Sequence, residues 1–151
     1  MNRTFRTMFF AAAVGTALPA AAADDVTTYT TDTVFADVAF EVNGAIINRG
    51  YVVDYHGLIG EMLQRTAEDV GADKALYRNA EFFQFCSAVV SREAMEADIG
   101  NIAYCPYVVF VYETEGDPGT VHVGFRRLPA GGGRDKVNEM LDEIAREAAG
   151  Q

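Results

Sequence analysis

Apolar positions along this chain follow two spacings, the two-residue period of strands and the three- to four-residue period of helices. Residues 107–112 are an unbroken apolar run of β-formers, and Val121, Val123 and Phe125 alternate with smaller or polar residues. The run at 107–112 predicts a central strand with both faces covered. In all, the pattern predicts strands at 26–31, 51–56, 81–88, 107–112 and 120–125. Residues 113–119, which hold two glycines and a proline, predict the turn of a hairpin.

Four helices are predicted between and after these strands. The first is capped by Asp32 or Thr33 and closed by Gly50, and the second covers 59–70 and ends before Gly71. The third begins at Ser91 and runs through 98. The last follows a flexible glycine break and repeats apolar residues at helical spacing, namely Val137, Met140, Leu141, Ile144 and Ala148. This order of elements predicts an α+β fold, a small two-layer sandwich of a mixed or antiparallel sheet with helices packed on one face.

The first residues have the three-part form of a secretory leader. Arg3 and Arg6 precede an apolar run at 8–18, and small residues at 20–23 supply a cleavage site. The run is shorter than the roughly 20 residues that a spanning helix needs, so we predict a cleaved signal peptide at 1–23 and no stable membrane span. A single α+β domain is predicted at 24–130, and the glycine break with its amphipathic helix at 131–151. The predicted location is periplasmic or secreted.

The charge of the chain limits its partners. Its formal net charge is −10, and removal of the leader would make it more negative because the leader carries two arginines and no acid. Such a surface repels phosphate backbones, so nucleic-acid binding and adhesion to anionic membranes are not expected. Solubility, or docking to a basic protein partner, fits the charge better.

Cys86 and Cys105 are the only cysteines. In an oxidising compartment an even pair of cysteines predicts a structural disulfide, which here would close a loop of about 20 residues. The alternative is a functional pair, either a redox couple or a soft metal site. No Cys-x-x-Cys motif is present in the sequence, which argues against exchange chemistry of the thioredoxin type.

His56 and His122 are the only histidines and are the remaining candidates for a metal or haem ligand. Each is predicted on or beside a strand, and the simpler interpretation is a partly exposed side chain with a hydrogen-bonding role. The sequence has no ligand-spaced His/Cys cluster and no Cys-x-x-Cys-His, and we predict no cofactor. A set of aromatic residues brackets both cysteines and could form core, a hydrophobic pocket or a subunit interface: Phe82, Phe83, Phe85, Tyr104, Tyr107, Phe110 and Tyr112.

Residues from about 35 to 126 resemble the family known as domain of unknown function 302. The resemblance is carried by Phe85-Cys86, by Glu96-Ala97-Asp98-Ile99-Gly100, and by Cys105 followed by the strand at 107–113. It implies a two-layer α+β domain, often a homodimer, with no established activity. The chain departs from the family pattern in having Ser87-Ala88 after the first cysteine and Pro106 after the second.

These observations lead to a hypothesis about function. The sequence lacks a nucleophile elbow, a phosphate-binding glycine loop and any other catalytic motif of known mechanism, so no catalytic residue is predicted and an enzyme is not favoured. We expect an exported, non-enzymatic accessory or binding domain stabilised by a disulfide. The alternative is a thiol-redox or metal- or haem-handling protein that uses Cys86 and Cys105 with His56 or His122.

Overall fold

A computed structural model describes residues 25–151, so the predicted leader at 1–23 lies outside the described residues. Five strands form one antiparallel sheet in the order β1-β5-β4-β3-β2. They are β1 (Val26–Thr31), β2 (Val52–Gly57), β3 (Tyr77–Cys86), β4 (Tyr107–Thr114) and β5 (Asp117–Arg126). The helices are α1 (Phe35–Asn48), α2 (Ile59–Arg65), α3 (Ala88–Ala97) and α4 (Asp135–Ala148), and single 3₁₀ segments cover Glu68–Val70 and Ile99–Tyr104. The predicted α+β fold is confirmed.

The hydrophobic core lies between one face of the sheet and helices α1 and α4. Strand residues with odd numbers point into it from β3, β4 and β5, and the apolar stripes of the two helices cover them. The residues that are almost completely buried there are Val38, Val42, Ile46, Phe83, Phe85, Val109, Val111, Val121, Val123, Phe125, Val137, Leu141 and Ile144. All five apolar positions predicted for the last helix are buried. The helix therefore packs on the same sheet as the rest of the chain.

Two predicted helix boundaries near the N-terminal end were wrong. Helix α1 begins after Val34, whose side chain cannot accept a capping hydrogen bond, and not after Asp32 or Thr33. The hydroxyl group of Thr33 instead receives a hydrogen bond from the Thr31 hydroxyl group, at 3.1 Å. Helix α2 ends at Arg65 rather than at 70, and it buries none of its residues. Gly71, the predicted end of that helix, instead ends the separate 3₁₀ segment Glu68–Val70, where it adopts a left-handed φ of 69°.

The middle of the chain also departs from prediction. Strand β3 starts at Tyr77 rather than at 81. The register of its pairing with β4 shifts between Tyr77 and Asn79, so its first residues do not follow the two-residue alternation that identifies a strand in sequence. Helix α3 starts at Ala88, where the Ser87 hydroxyl oxygen accepts a hydrogen bond from the Val90 backbone N–H at 3.2 Å. The predicted cap Ser91 lies inside the helix. The hairpin turn is also shorter than predicted, because β5 already begins at Asp117.

Strand β4 is central, but only one of its faces is fully covered. Its exposure alternates between buried and half-buried along 107–112, so the prediction of two covered faces was wrong. Ring side chains from four strands, half-buried except for the exposed Tyr55, meet on the face away from the core, which we call the outer face: Tyr55, Phe82, Phe110, Tyr112 and His122. Glycine at position 124 lets the Phe110 ring lie flat on β5, where a Cβ would collide with it. No helix among residues 25–151 is long and apolar enough to cross a membrane.

Candidate functional site

The two cysteines lie together at one end of the sheet. Cys86 is the last residue of β3, and Cys105 stands between the second 3₁₀ segment and β4. They form a disulfide with a Cα–Cα distance of 6.3 Å and a sequence separation of 19. Because β3 and β4 are hydrogen-bonded neighbours, the bond closes the α3 connection between two adjacent strand ends. The structure thus joins the pair that the sequence predicted.

The connection closed by the disulfide is held by Asn101, a residue that the sequence pattern did not reveal. Its side-chain amide donates hydrogen bonds to the carbonyl oxygen atoms of Ala94, at 2.6 Å, and Gly132, at 2.7 Å. Its own oxygen accepts a hydrogen bond from Arg134 Nη1 at 3.0 Å. Asn101 is buried, and these bonds use both of its N–H donors and give its oxygen a partner, as a side-chain amide removed from water requires.

These contacts also correct the expectation of a flexible glycine break. Gly131, Gly132 and Gly133 all have positive φ values, of 78°, 59° and 81°, which side chains rarely adopt. Gly133 packs so closely on α3 that a Cβ would collide with Ala97. The segment is therefore an ordered turn that joins α4 to the disulfide end of the domain.

A cleft of about 270 Å³ opens beside Cys105. Its walls are mostly apolar and include Tyr104, Pro106 and Val108, and its polar side chains are Gln84, Arg126 and Arg127. No aspartate or glutamate is found among the described residues that line it. Most ligand sites are apolar hollows with a few polar groups, so this cleft has the composition of a small binding site.

The two histidines lie apart from each other and from the disulfide. His56 stacks on Phe83, with ring centroids 4.4 Å apart, and its Nε2 is 2.7 Å from Glu81 Oε2. His122 stacks on Tyr112 at 4.5 Å. Phe83 points into the core and Tyr112 points to the outer face, so the histidines occupy opposite faces of the sheet. Within residues 25–151 there is no group of three or more His, Cys, Asp or Glu side chains that could hold a metal ion.

A second, larger cleft of about 580 Å³ lies between β1 and α4 and carries mixed charge. The Tyr29 hydroxyl group donates a hydrogen bond to Asp142, which also accepts one from Arg146 Nε at 2.8 Å. Burial and the hydrogen bond to Asp142 raise the pKa of Tyr29. Burial acts to raise the pKa of Asp142, but the hydrogen bonds from Tyr29 and Arg146 outweigh it and the pKa is lowered. The cluster ties the first strand to the last helix.

This cluster gives a prediction about acid stability. A lowered folded-state pKa means that the Asp142 carboxylate stabilises the fold above the unfolded-state pKa of about 3.9. That contribution is lost as the pH falls through the folded-state value. Asp142→Asn should therefore lower the free energy of unfolding by about 1 kcal/mol near neutral pH and by much less near pH 3. Urea denaturation at several pH values measures both quantities.

The control is Glu143→Gln, since Glu143 is more exposed and its closest approach to a cation is 3.9 Å, to Arg49. It should leave the pH dependence of stability unchanged. Equal destabilisation by Asp142→Asn at low and neutral pH would contradict the assigned role of the carboxylate.

A protein-family model, described as domain of unknown function DUF302, matches residues 28–150. The chain belongs to the DUF302 family. The match includes β5, the glycine turn and α4, so the DUF302 domain of this chain extends beyond the residues 35–126 that carry the resemblance in the sequence. It also contains both cysteines and the cleft beside them.

A solved relative shows the same DUF302 fold. The crystal structure of uncharacterized conserved protein DUF302 from Bacillus stearothermophilus matches with a TM-score of 0.67 and 15% sequence identity. The match covers 83% of this chain and 99% of that chain. A search of curated proteins found no match.

Proposed function

We propose that this DUF302 chain is an exported, non-enzymatic accessory or binding domain, and that the Cys86–Cys105 disulfide is its structural staple. The observation that carries the proposal is the position of the bond, which links the ends of two neighbouring strands around the α3 connection. Disulfides form and persist in oxidising compartments, and the leader-like sequence at 1–23 provides a route to one. A periplasmic location is therefore part of the proposal.

A stapling role fits the surroundings of the bond. The neighbours of Cys86 are Phe85, which is buried, and Ser87, which caps α3. The bond thus connects the core to a helix start, and the Asn101 contacts hold the other side of the same connection. The homodimer and the basic protein partner expected from the sequence stay predictions.

The thiol-redox and metal-handling alternative uses Cys86 and Cys105 together with an assisting histidine, His56 or His122. His56 pairs with Phe83, about 10 Å along β3 from Cys86, and points to the opposite face. His122 lies on β5 opposite Tyr112, well along β4 from Cys105. The alternative therefore has no assisting group among the candidates named for it, and we place it second.

Mass spectrometry of the chain purified from the exported fraction tests the proposal. Alkylation without prior reduction should modify neither cysteine, and reduction before alkylation should expose both. The intact mass should correspond to a chain that begins near Asp24. Two alkylatable thiols in the unreduced exported protein, or recovery of the uncleaved chain in the cytoplasm alone, would overturn it.

A further inference from the structure

We infer that the cleft beside Cys105 is a binding site for a small organic carboxylate with an apolar body. The inference gives a ligand class to the binding role proposed above and in that sense rests on it. It is carried by three arginines at the disulfide end of the domain, Arg126, Arg127 and Arg134. None of them forms an ion pair with any residue of the described range 25–151.

Arginines without an ion pair are concentrated at this end of the domain. Residues 25–151 contain ten lysine and arginine side chains, and five of them form ion pairs, namely Arg49, Arg78, Arg92, Lys136 and Arg146. Three of the other five are Arg126, Arg127 and Arg134. Since no described aspartate or glutamate lines the cleft, these arginines make it a local positive region on an acidic protein.

Each arginine has a defined position. Arg126 and Arg127 line the cleft directly, and Arg127 also hydrogen-bonds Thr27 Oγ1 through Nη2 at 3.0 Å. Arg134 does not line the cleft, but its guanidinium lies 5.6 Å from the centre of the ring of Tyr104, which does. Its N–H groups donate to neutral oxygens of Pro129, Ala130 and Asn101, so the group is held in place while its charge is not neutralised.

The rest of the cleft defines the other half of the ligand. Tyr104, Pro106, Val108 and Leu128 provide apolar and aromatic surface, and the Gln84 amide adds one neutral donor and acceptor. Arginine is the side chain best suited to a carboxylate, since its guanidinium can donate two parallel hydrogen bonds. A volume of about 270 Å³ is just below the usual range for ligand pockets of about 300–1,000 Å³, which limits the ligand to a small molecule.

The neighbouring cleft between β1 and α4 serves as an internal comparison. Arg127 lies between the two clefts, but Asp25, Asp135, Glu139 and Asp142 all line the other one. That cleft also contains Arg146, but its four acids outnumber its two arginines, so an anion is less favoured there than beside Cys105. The two clefts should be distinguishable by where a bound anion perturbs the protein.

The test is an NMR titration of the oxidised protein with benzoate, in which the backbone amide chemical shifts are monitored. We expect saturable shifts at Tyr104, Cys105 and Val108. Benzamide, which has the same shape and no charge, should bind at least about tenfold more weakly.

Arg126→Gln should weaken benzoate binding by roughly tenfold, because it removes one charged donor from an exposed position. Arg65→Gln is the matched control, since Arg65 also lacks an ion pair within residues 25–151 but lies on α2, and it should leave binding unchanged.

Three results would overturn the inference. They are the absence of saturable shifts at about 10 mM benzoate, where a millimolar site would be mostly filled, equal binding of benzamide, and an equal loss of affinity in Arg65→Gln. None of them changes the expected alkylation result. Failure of the carboxylate site is thus distinguishable from failure of the disulfide-stapled role.

Discussion

Replacing both cysteines, in Cys86→Ala/Cys105→Ala, is expected to lower the free energy of unfolding by about 3 kcal/mol. The reason is that the bond restricts a 19-residue separation in the unfolded chain, and that restriction disappears. For a domain of this size the melting temperature should fall by roughly 10 °C. Thermal denaturation followed by circular dichroism measures the change.

The unmodified protein treated with a reducing agent is the control for this prediction. Its melting temperature should fall to that of the double variant, and the double variant itself should not respond to the reducing agent. If neither treatment changes the melting temperature, the bond is not a staple, and the thiol-redox alternative gains support because it requires a fold that survives without the bond.

Phe85→Ala is expected to have the larger effect, a loss of about 3–5 kcal/mol. The Phe85 side chain is fully buried and packs on Tyr51, with ring centroids 5.7 Å apart, and on the edge of Tyr107, at 6.2 Å. Its removal leaves a cavity between the sheet and the helices, next to the disulfide. Since small domains are stable by only about 5–15 kcal/mol, the variant should unfold at a much lower urea concentration.

Phe40→Ala makes the same chemical change on the surface and is the matched control. The Phe40 side chain is 71% exposed on α1, so its loss should change stability by about 0.5 kcal/mol or less. Similar urea midpoints for the two variants would contradict the placement of Phe85 at the centre of the core.

The sequence pattern predicted most of the fold because the core residues repeat regularly. Val121, Val123 and Phe125 alternate on a strand, and Val137 and Leu141 lie one helical turn apart, so their elements were placed correctly. The errors lie where local rules compete. Ser87 and Ser91 can both cap a helix, and extending the strand to 88 left Ser91 as the predicted cap, whereas the strand ends at Cys86 and Ser87 is the cap.

The candidate site was predictable only in part. Pairing of Cys86 with Cys105 was predicted from an even cysteine count and from the oxidising compartment that the leader-like sequence implies, and the structure contains that bond. Asn101 and the three arginines match no sequence motif, and some of their contacts join residues far apart in the chain, such as Arg127 with Thr27 and Asn101 with Gly132. Arg134 meets Asn101 across 33 residues, and only the folded glycine turn brings them together.

The pairing of β1 with β5 constrains when the sheet can be completed. Val26 is aligned with Arg126, and Tyr29 reaches Asp142 on the last helix, so the first strand has no partner until almost the whole chain is available. Pairing that depends on such distant segments forms slowly, because the loop entropy is lost before the contacts are gained. A chain synthesised from its N-terminal end therefore leaves strand β1 unpaired until β5 and the last helix have been made.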